Sequence, residues 1–311
     1  MKDFGSLHYF LGIKVHNLPD GFLLSQSKYA CELLLKAQML DSKGIFTPMA
    51  VKSHNTPSDA PFHDPTLYRS IVGGLLYLTM TRPDLSYSVN FVCQHMQAPT
   101  NGHFRAVKRI LRYLNATKDL GLRLLSTSSL QLYVFSDADW AGCPVTQRST
   151  TGFCTFLGSN LISWSAKKQS TIARSSTEAE YRSMASTTAE LTWLSFLIRD
   201  IGVSLLTPPT LFCDNMSALH MSINPVFHAR TKHVELDYHF VREKVALGSL
   251  ITRYVSTKAQ LADILTKPLP KFDFSHNRTK LGLQPRPSLR GSNEIAQEST
   301  SLNMESSSAQ T

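Results

Sequence analysis

Three absences in this 311-residue sequence each remove a class of protein. Cysteine is scarce and badly placed for chemistry: Cys31, Cys93, Cys143, Cys154 and Cys213 are odd in number, far apart, and form no CxxC pair. That pattern argues against a zinc ribbon and a secreted disulfide framework; it fits reduced, buried thiols in a cytoplasmic or nuclear protein. Long apolar runs are missing as well. The longest, Ile71 to Met80, is far too short to span a bilayer, and the start, Met1-Lys2-Asp3-Phe4-Gly5, has no apolar signal core, so neither membrane insertion nor secretion is expected. An excess of acid is the third absence. The net charge is +9, spread as +6 over 1–125, +2 over 126–270 and +1 over 271–311. A basic first part fits a protein that meets a polyanion.

A hydrophobic share of 42% supports real cores, and the length leaves room for two modest domains. Residues 5–30 read as two strands around Pro19-Asp20-Gly21 and then a helix through Ser27–Met39. Lys43 to Pro65 holds four prolines and reads as an exposed connection. Three helical patterns follow, the last with Phe104, Val107, Ile110, Leu111 and Leu114 on one side and Arg105, Lys108, Arg109 and Arg112 on the other. That basic face is either a phosphate-contacting surface or an ordinary solvated one. From Leu130 the pattern turns to strands, with a hairpin around Gly158-Ser159-Asn160, a long helix over about Ser176–Ile201, and a mixed α/β order to the end. Beyond Pro270 large apolar residues become few, and 271–311 is expected to be a disordered tail.

Four acidic residues fall at element ends. Asp137 ends the apolar run from Leu130, and Glu180 lies in the first turns of the long helix. Asp214 ends Leu211-Phe212-Cys213, and Asp263 opens a helix after Ile251–Val255. Gathered at one point such carboxylates repel, by roughly 4 kcal/mol per pair at about 4 Å and an effective dielectric near 20. They are therefore either solvated and unrelated, or held together by divalent cations. Two hard cations on oxygen ligands are the device that hydrolyses phosphodiesters by in-line displacement.

Several ordered blocks carry a resemblance. Ser136-Asp137-Ala138-Asp139-Trp140-Ala141-Gly142-Cys143, Arg148-Ser149-Thr150-Thr151-Gly152, Ser175-Ser176-Thr177-Glu178-Ala179-Glu180-Tyr181, Cys213-Asp214-Asn215-Met216-Ser217-Ala218, Arg230-Thr231-Lys232-His233 and Ala262-Asp263-Ile264-Leu265-Thr266-Lys267 resemble the ribonuclease H domain of copia-type LTR-retrotransposon Pol polyproteins. Upstream, Leu7-His8-Tyr9-Phe10-Leu11-Gly12-Ile13-Lys14-Val15 and Leu24-Ser25-Gln26-Ser27-Lys28-Tyr29 look like the last stretch of that family's reverse transcriptase. The resemblance implies an α/β fold: a ribonuclease H-like mixed five-stranded sheet with flanking helices over 126–270, preceded over 1–125 by a mostly helical thumb and connection remnant. It implies cleavage of the RNA strand of RNA–DNA hybrids, with two Mg²⁺ ions (Mn²⁺ as a substitute) on Asp137, Glu180, Asp214 and Asp263. The expected partners are the hybrid and the remainder of the Pol polyprotein, in the cytoplasm within a virus-like particle or in the nucleus. The family's polymerase needs a Tyr-x-Asp-Asp pair; the chain has none, so polymerase activity is not expected.

Residue by residue, Glu178 fits a capping box with Ser175, which leaves the metal role to Glu180. Asp139 reads as a turn-stabilising residue. Asn215 and Ser217 are candidates for minor-groove hydroxyls, with a helix cap as the other reading of Asn215. Arg230, Lys232 and His233 are candidate phosphate contacts. Cellular ribonucleases H carry a mobile histidine before the last Asp; the corresponding Ser256-Thr257-Lys258-Ala259-Gln260 has none, and Lys258 is the residue left for that task. Trp193, on the long helix, reads as core. Two other classes compete: a catalytically inactive nucleic-acid-binding relic, and an integrase, which shares the fold but uses three acids.

Overall fold

The computed structural model describes residues 8–51, 60–224 and 235–286; Arg230, Lys232 and His233 lie outside them. The elements run β1 (Tyr9–Phe10), β2 (Ile13–Leu18), β3 (Gly21–Ser25), α1 (Ser27–Lys36), α2 (Pro65–Leu78), α3 (Ser86–Cys93), α4 (Asn101–Ala116) and β4 (Leu120–Leu125). They continue with β5 (Leu132–Asp139), β6 (Thr150–Leu157), β7 (Asn160–Lys168), α5 (Ser176–Asp200), β8 (Thr210–Cys213) and α6 (Met216–Ile223). Last come α7 (Glu235–Ala246), β9 (Ile251–Tyr254), α8 (Asp263–Thr266), α9 (Lys271–Lys280) and β10 (Leu283–Pro285). Among the described residues no helix is long and apolar enough to cross a membrane.

Local chemistry sets many of these boundaries. Asp64 accepts from the Leu67 N–H at 2.9 Å and Pro65 sits in the first helical turn, so α2 begins there. Thr100 and His103 cap α4 reciprocally. Gly21 has φ 147°, and a Cβ there would lie 2.0 Å from the Leu124 carbonyl oxygen, so the β2–β3 turn passes against β4 only with glycine.

The first half is mostly helical, as expected, but the expectation of only two strands there falls short. Four strands of this half and β10, from residues 283–285, form a five-stranded antiparallel sheet in the order β1-β2-β3-β4-β10. β4, Leu-Gly-Leu-Arg-Leu-Leu, has no β-branched residue and gives little intrinsic strand signal; its pairing with β3 and β10 makes it a strand. The expectation of a tail from residue 271 also fails over 271–286. Large apolar residues are few there, but Phe274, Leu281 and Leu283 are all buried, and Phe274 packs edge-on to Tyr113 at 5.5 Å. A handful of anchors plus the β10–β4 ladder orders a segment whose composition reads as disordered.

The second sheet runs β7-β6-β5-β8-β9, with β5, β6 and β7 antiparallel and β5, β8 and β9 parallel. Both faces are covered, as parallel strands require. On one, α5 packs Tyr181, Met184, Leu191 and Leu194 over Leu132, Val134, Phe153 and Leu211. On the other, Cys154, Phe156 and Leu161 join Ile264, Leu265 and the apolar faces of α2, α3 and α4 in one continuous core. Polar ties cross the same boundary: Trp164 donates to the Thr79 carbonyl at 3.0 Å, and Asn90 to that of Ala166 at 2.7 Å.

Candidate active site

Asp137 sits near the end of β5, the central strand. Phe135 pairs with Phe212 in the parallel ladder, so Asp137 and Asp214 each lie two residues beyond the paired phenylalanines, at the carboxyl ends of β5 and β8. That edge of an α/β sheet is where ligands bind. Glu180 comes from above. The Ser183 hydroxyl on α5 donates to the Asp137 carbonyl at 2.9 Å and lies 2.9 Å from the Ser136 hydroxyl, and Thr187 reaches Ser136 at 3.1 Å. Glu180, Ser183 and Thr187 share one helix face. Small hydroxyl residues let the helix approach the strand closely and fix Glu180 over the strand end.

Asp263 comes from the opposite side of the sheet. Gln260 donates to the Ser136 carbonyl at 2.9 Å, anchoring the loop before α8. Gly152, paired with Asp137 across the ladder, leaves the gap that α8 fills: a Cβ there would lie 2.5 Å from Thr266 Cγ2. Thr266 then donates directly to the Asp137 carboxylate, and Thr257 donates to Asp214 Oδ2 at 2.9 Å.

The electrostatics follow from this crowding. Burial, then the charges of Asp137 and Asp214, push Glu180 up from 4.5 to about 9. Asp263 is pushed up from 3.8 to about 7 by burial and by Asp137, against the opposing pull of Lys267. Asp139 is raised by burial and by Asp137, and its carboxylate lies against Gly142 in the following turn, where a Cβ would be 1.6 Å from Oδ2. The Cys213 thiol is raised by burial and stands 3.8 Å from Glu180 Oε2, and Glu180, Cys213 and Asp214 offer ligand atoms within 4.8 Å of one another, two of them carboxylates. Hard oxygen donors with more negative charge than their surroundings balance fit Mg²⁺ or Mn²⁺.

Other candidates are placed differently. Glu178 is structural: it accepts from the Arg174 N–H at 2.8 Å and pairs with Arg182 at 2.9 Å, while its own N–H donates to Ser175. Arg109 donates to Thr47 Oγ1 and Arg112 to the Lys43 carbonyl, so half of the basic face of α4 pins the connecting segment; Arg105 and Lys108 are exposed. Asn215 accepts from the Ala218 N–H and caps α6, whereas Ser217 and Lys258 are exposed. Trp193 is 57% exposed, which overturns its reading as core: it lies on the solvent side of α5, opposite the face held by Leu191 and Leu194. Thr257, Gln260, Ser183, Thr266 and Lys267 were not singled out by sequence. For Ser183, Thr266 and Lys267 the signal lay in helical spacing, three or four residues on from Glu180 and Asp263; Thr257 and Gln260, in the turn before Asp263, carried no such signal.

The second sheet is mixed and five-stranded, covered by helices on both faces, with acidic residues at one edge. A ribonuclease H1 isolated from compost resembles it at 13% identity and a TM-score of 0.35, over 44% of this chain and 93% of that one. No protein-family model matches the chain. Among curated proteins, the retrovirus-related Pol polyprotein from transposon RE2 of Arabidopsis thaliana is 49% identical over 284 residues, covering 91% of this chain and 20% of the relative. The Pol polyprotein from transposon TNT 1-94 of Nicotiana tabacum is 33% identical over 299 residues, covering 91% of this chain and 22% of its own length. The chain belongs to the copia-type retrotransposon Pol polyprotein family and spans about a fifth of the length of these relatives.

Proposed function

We propose that the chain hydrolyses the RNA strand of RNA–DNA hybrids endonucleolytically, as a step of retrotransposon reverse transcription, leaving a 3′ hydroxyl and a 5′ phosphate. One observation carries the reading: carboxylates from four separate elements converge on a largely buried point where, among the described residues, one lysine stands in ion-pair range of them. Asp137, Glu180, Asp214 and Asp263 would hold two Mg²⁺ ions, which supply Lewis acidity at the phosphate and an activated water. The chain's own residues fix the constellation. Thr266 orients the Asp137 carboxylate, Thr257 orients Asp214, and the Ser183–Ser136–Thr187 hydroxyls hold α5 in register with β5.

Arg105 and Lys108 on α4, Lys258 and Ser217 are the exposed candidates for hybrid contact; Arg109, Arg112 and Asn215 are assigned to the fold. The remainder of the Pol polyprotein is the expected protein partner. Incubating the full chain with an end-labelled hybrid and Mg²⁺ tests the reading. Cleavage confined to the RNA strand and lost in Asp137→Asn supports it. Hybrid binding without cleavage would leave the inactive relic as the better description.

A further inference from the structure

The four carboxylates are accompanied by one ammonium. Among the described residues Lys267 is the cation in ion-pair range of the cluster, with Nζ 2.8 Å from Asp263 Oδ1 and 4.0 Å from Asp137 Oδ2. The sequence puts it there by two means. Lys267 follows Asp263 by four residues, a spacing that shares one helix face. Pro268 then disfavours helical backbone at Lys267, which has φ −146° and ψ 157°, so α8 stops after a single turn. The Lys267 N–H still closes on the Asp263 carbonyl at 3.1 Å, keeping the side chain over the acid. Lys267 also lines a small cavity of mixed character together with Met49, Tyr87, Leu269, Asp84 and Ser88, while 36% of its side chain stays exposed.

We propose that Lys267 is a resident counter-ion of the acidic cluster, holding Asp263 and Asp137 together in the metal-free chain and yielding its place when a divalent cation binds. This rests on the reading that the site takes such cations. A lysine suits the task where an arginine does not. Its charge is a compact point on a flexible stem, able to swing toward solvent, whereas a guanidinium would lock a carboxylate in a planar fork. Two consequences follow. The chain folds around its excess negative charge without metal, and a cation entering the cluster works against a unit positive charge at short range.

The test uses the full chain with Lys267→Met and Lys267→Arg, read by Mg²⁺ titration calorimetry and by thermal melting in chelator, both without nucleic acid. Lys267→Met should bind Mg²⁺ roughly tenfold more tightly, the scale of effect expected from one nearby charge with much of water's screening retained. Its metal-free melting temperature should fall, and saturating Mg²⁺ should close the gap to wild type. Lys267→Arg should keep the metal-free melting temperature. Should Lys267→Met not fold in chelator, Lys267→Gln carries the same expectations, with affinity read from the dependence of melting on Mg²⁺. Unchanged or weaker Mg²⁺ binding in both neutral variants overturns the proposal. A wild-type chain that binds no divalent cation sinks the hydrolase reading and the yielding together; one that binds Mg²⁺ and cleaves, with the neutral variants unaltered in affinity, sinks only the role of Lys267.

Discussion

Two of the places where the described residues bury charge are built on opposite principles. Beneath α2 and α4 the Arg82 guanidinium grips Asp84 through two bonds, at 2.9 and 2.8 Å, and donates to both the carbonyl and the hydroxyl of Thr117. Tyr113 donates to the same carboxylate at 2.6 Å, and Arg278 of α9 reaches Tyr113 at 3.2 Å. Charge there is balanced and nearly every lone pair is used. At the edge of the second sheet four carboxylates have, among the described residues, one lysine in ion-pair range. Burial alone therefore does not separate scaffold from site; the uncompensated sign of the charge does.

Removing an acid should have opposite consequences in the two centres. Asp84→Ala strands a buried guanidinium and should cost about 3–5 kcal/mol, a large share of a typical domain's stability of roughly 5–15 kcal/mol. Urea denaturation measures it, and a loss below about 1 kcal/mol would mean that Arg82 finds water or another partner. Glu180→Gln should instead stabilise the metal-free chain at neutral pH, because it removes a group forced to stay protonated. It should also reduce hybrid cleavage by a factor on the order of 10²–10³, as for loss of one preorganised electrostatic group. Destabilisation of the size expected at Asp84 would erase the contrast.

The pH dependence sharpens the same comparison. Glu180 in the folded, metal-free chain titrates near 9 against an ordinary 4.5, and Asp263 near 7 against 3.8. The folded state thus binds more protons than the unfolded one between those values. Their contribution to stability is present below the unfolded values and is lost as pH rises through the folded ones. Cation binding requires the deprotonated forms and so opposes that loss. The rise in melting temperature on adding saturating Mg²⁺ should grow steadily from mild acid to about pH 9, with protons released to the buffer. A pH-independent rise would show that the cation binds elsewhere.

Part of this was legible in the residues. Asp137 and Asp214 follow apolar runs, so the register of two parallel strands brings them to one edge; Ser175 three residues before Glu178 marks a helix start that sets Glu180 apart. What was not legible depends on pairing between distant segments. β4 lacks strand propensity and becomes a strand between β3 and β10, which lie far from each other in sequence. α9 is too polar to advertise order and is held by few anchors. Arg109 and Arg112 look like a solvated basic stripe until the segment at Lys43–Thr47 folds over them. The division at residue 125 is likewise a change of sequence pattern, not a gap in packing, because a single apolar core runs across it.

The smallest expected effect comes from two glutamates on one helix. Glu178 and Glu180 are equally buried at 6% exposure, lie two residues apart, and face different electrostatic settings. Glu178 has its charge answered by Arg182 and by the Arg174 N–H; Glu180 meets Asp137 and Asp214. Glu178→Gln keeps the shape and one acceptor oxygen, so either the cap or the arginine contact can survive. The cost should be about 1 kcal/mol of stability, the usual worth of a helix cap. Cleavage should stay within a few-fold of wild type, since this carboxylate is engaged by the Arg174 N–H and by Arg182. Paired measurements of melting and hybrid cleavage on the two glutamine variants decide the matter. If Glu178→Gln abolishes cleavage and Glu180→Gln does not, the balanced carboxylate is the working one, and charge imbalance is not what marks this site.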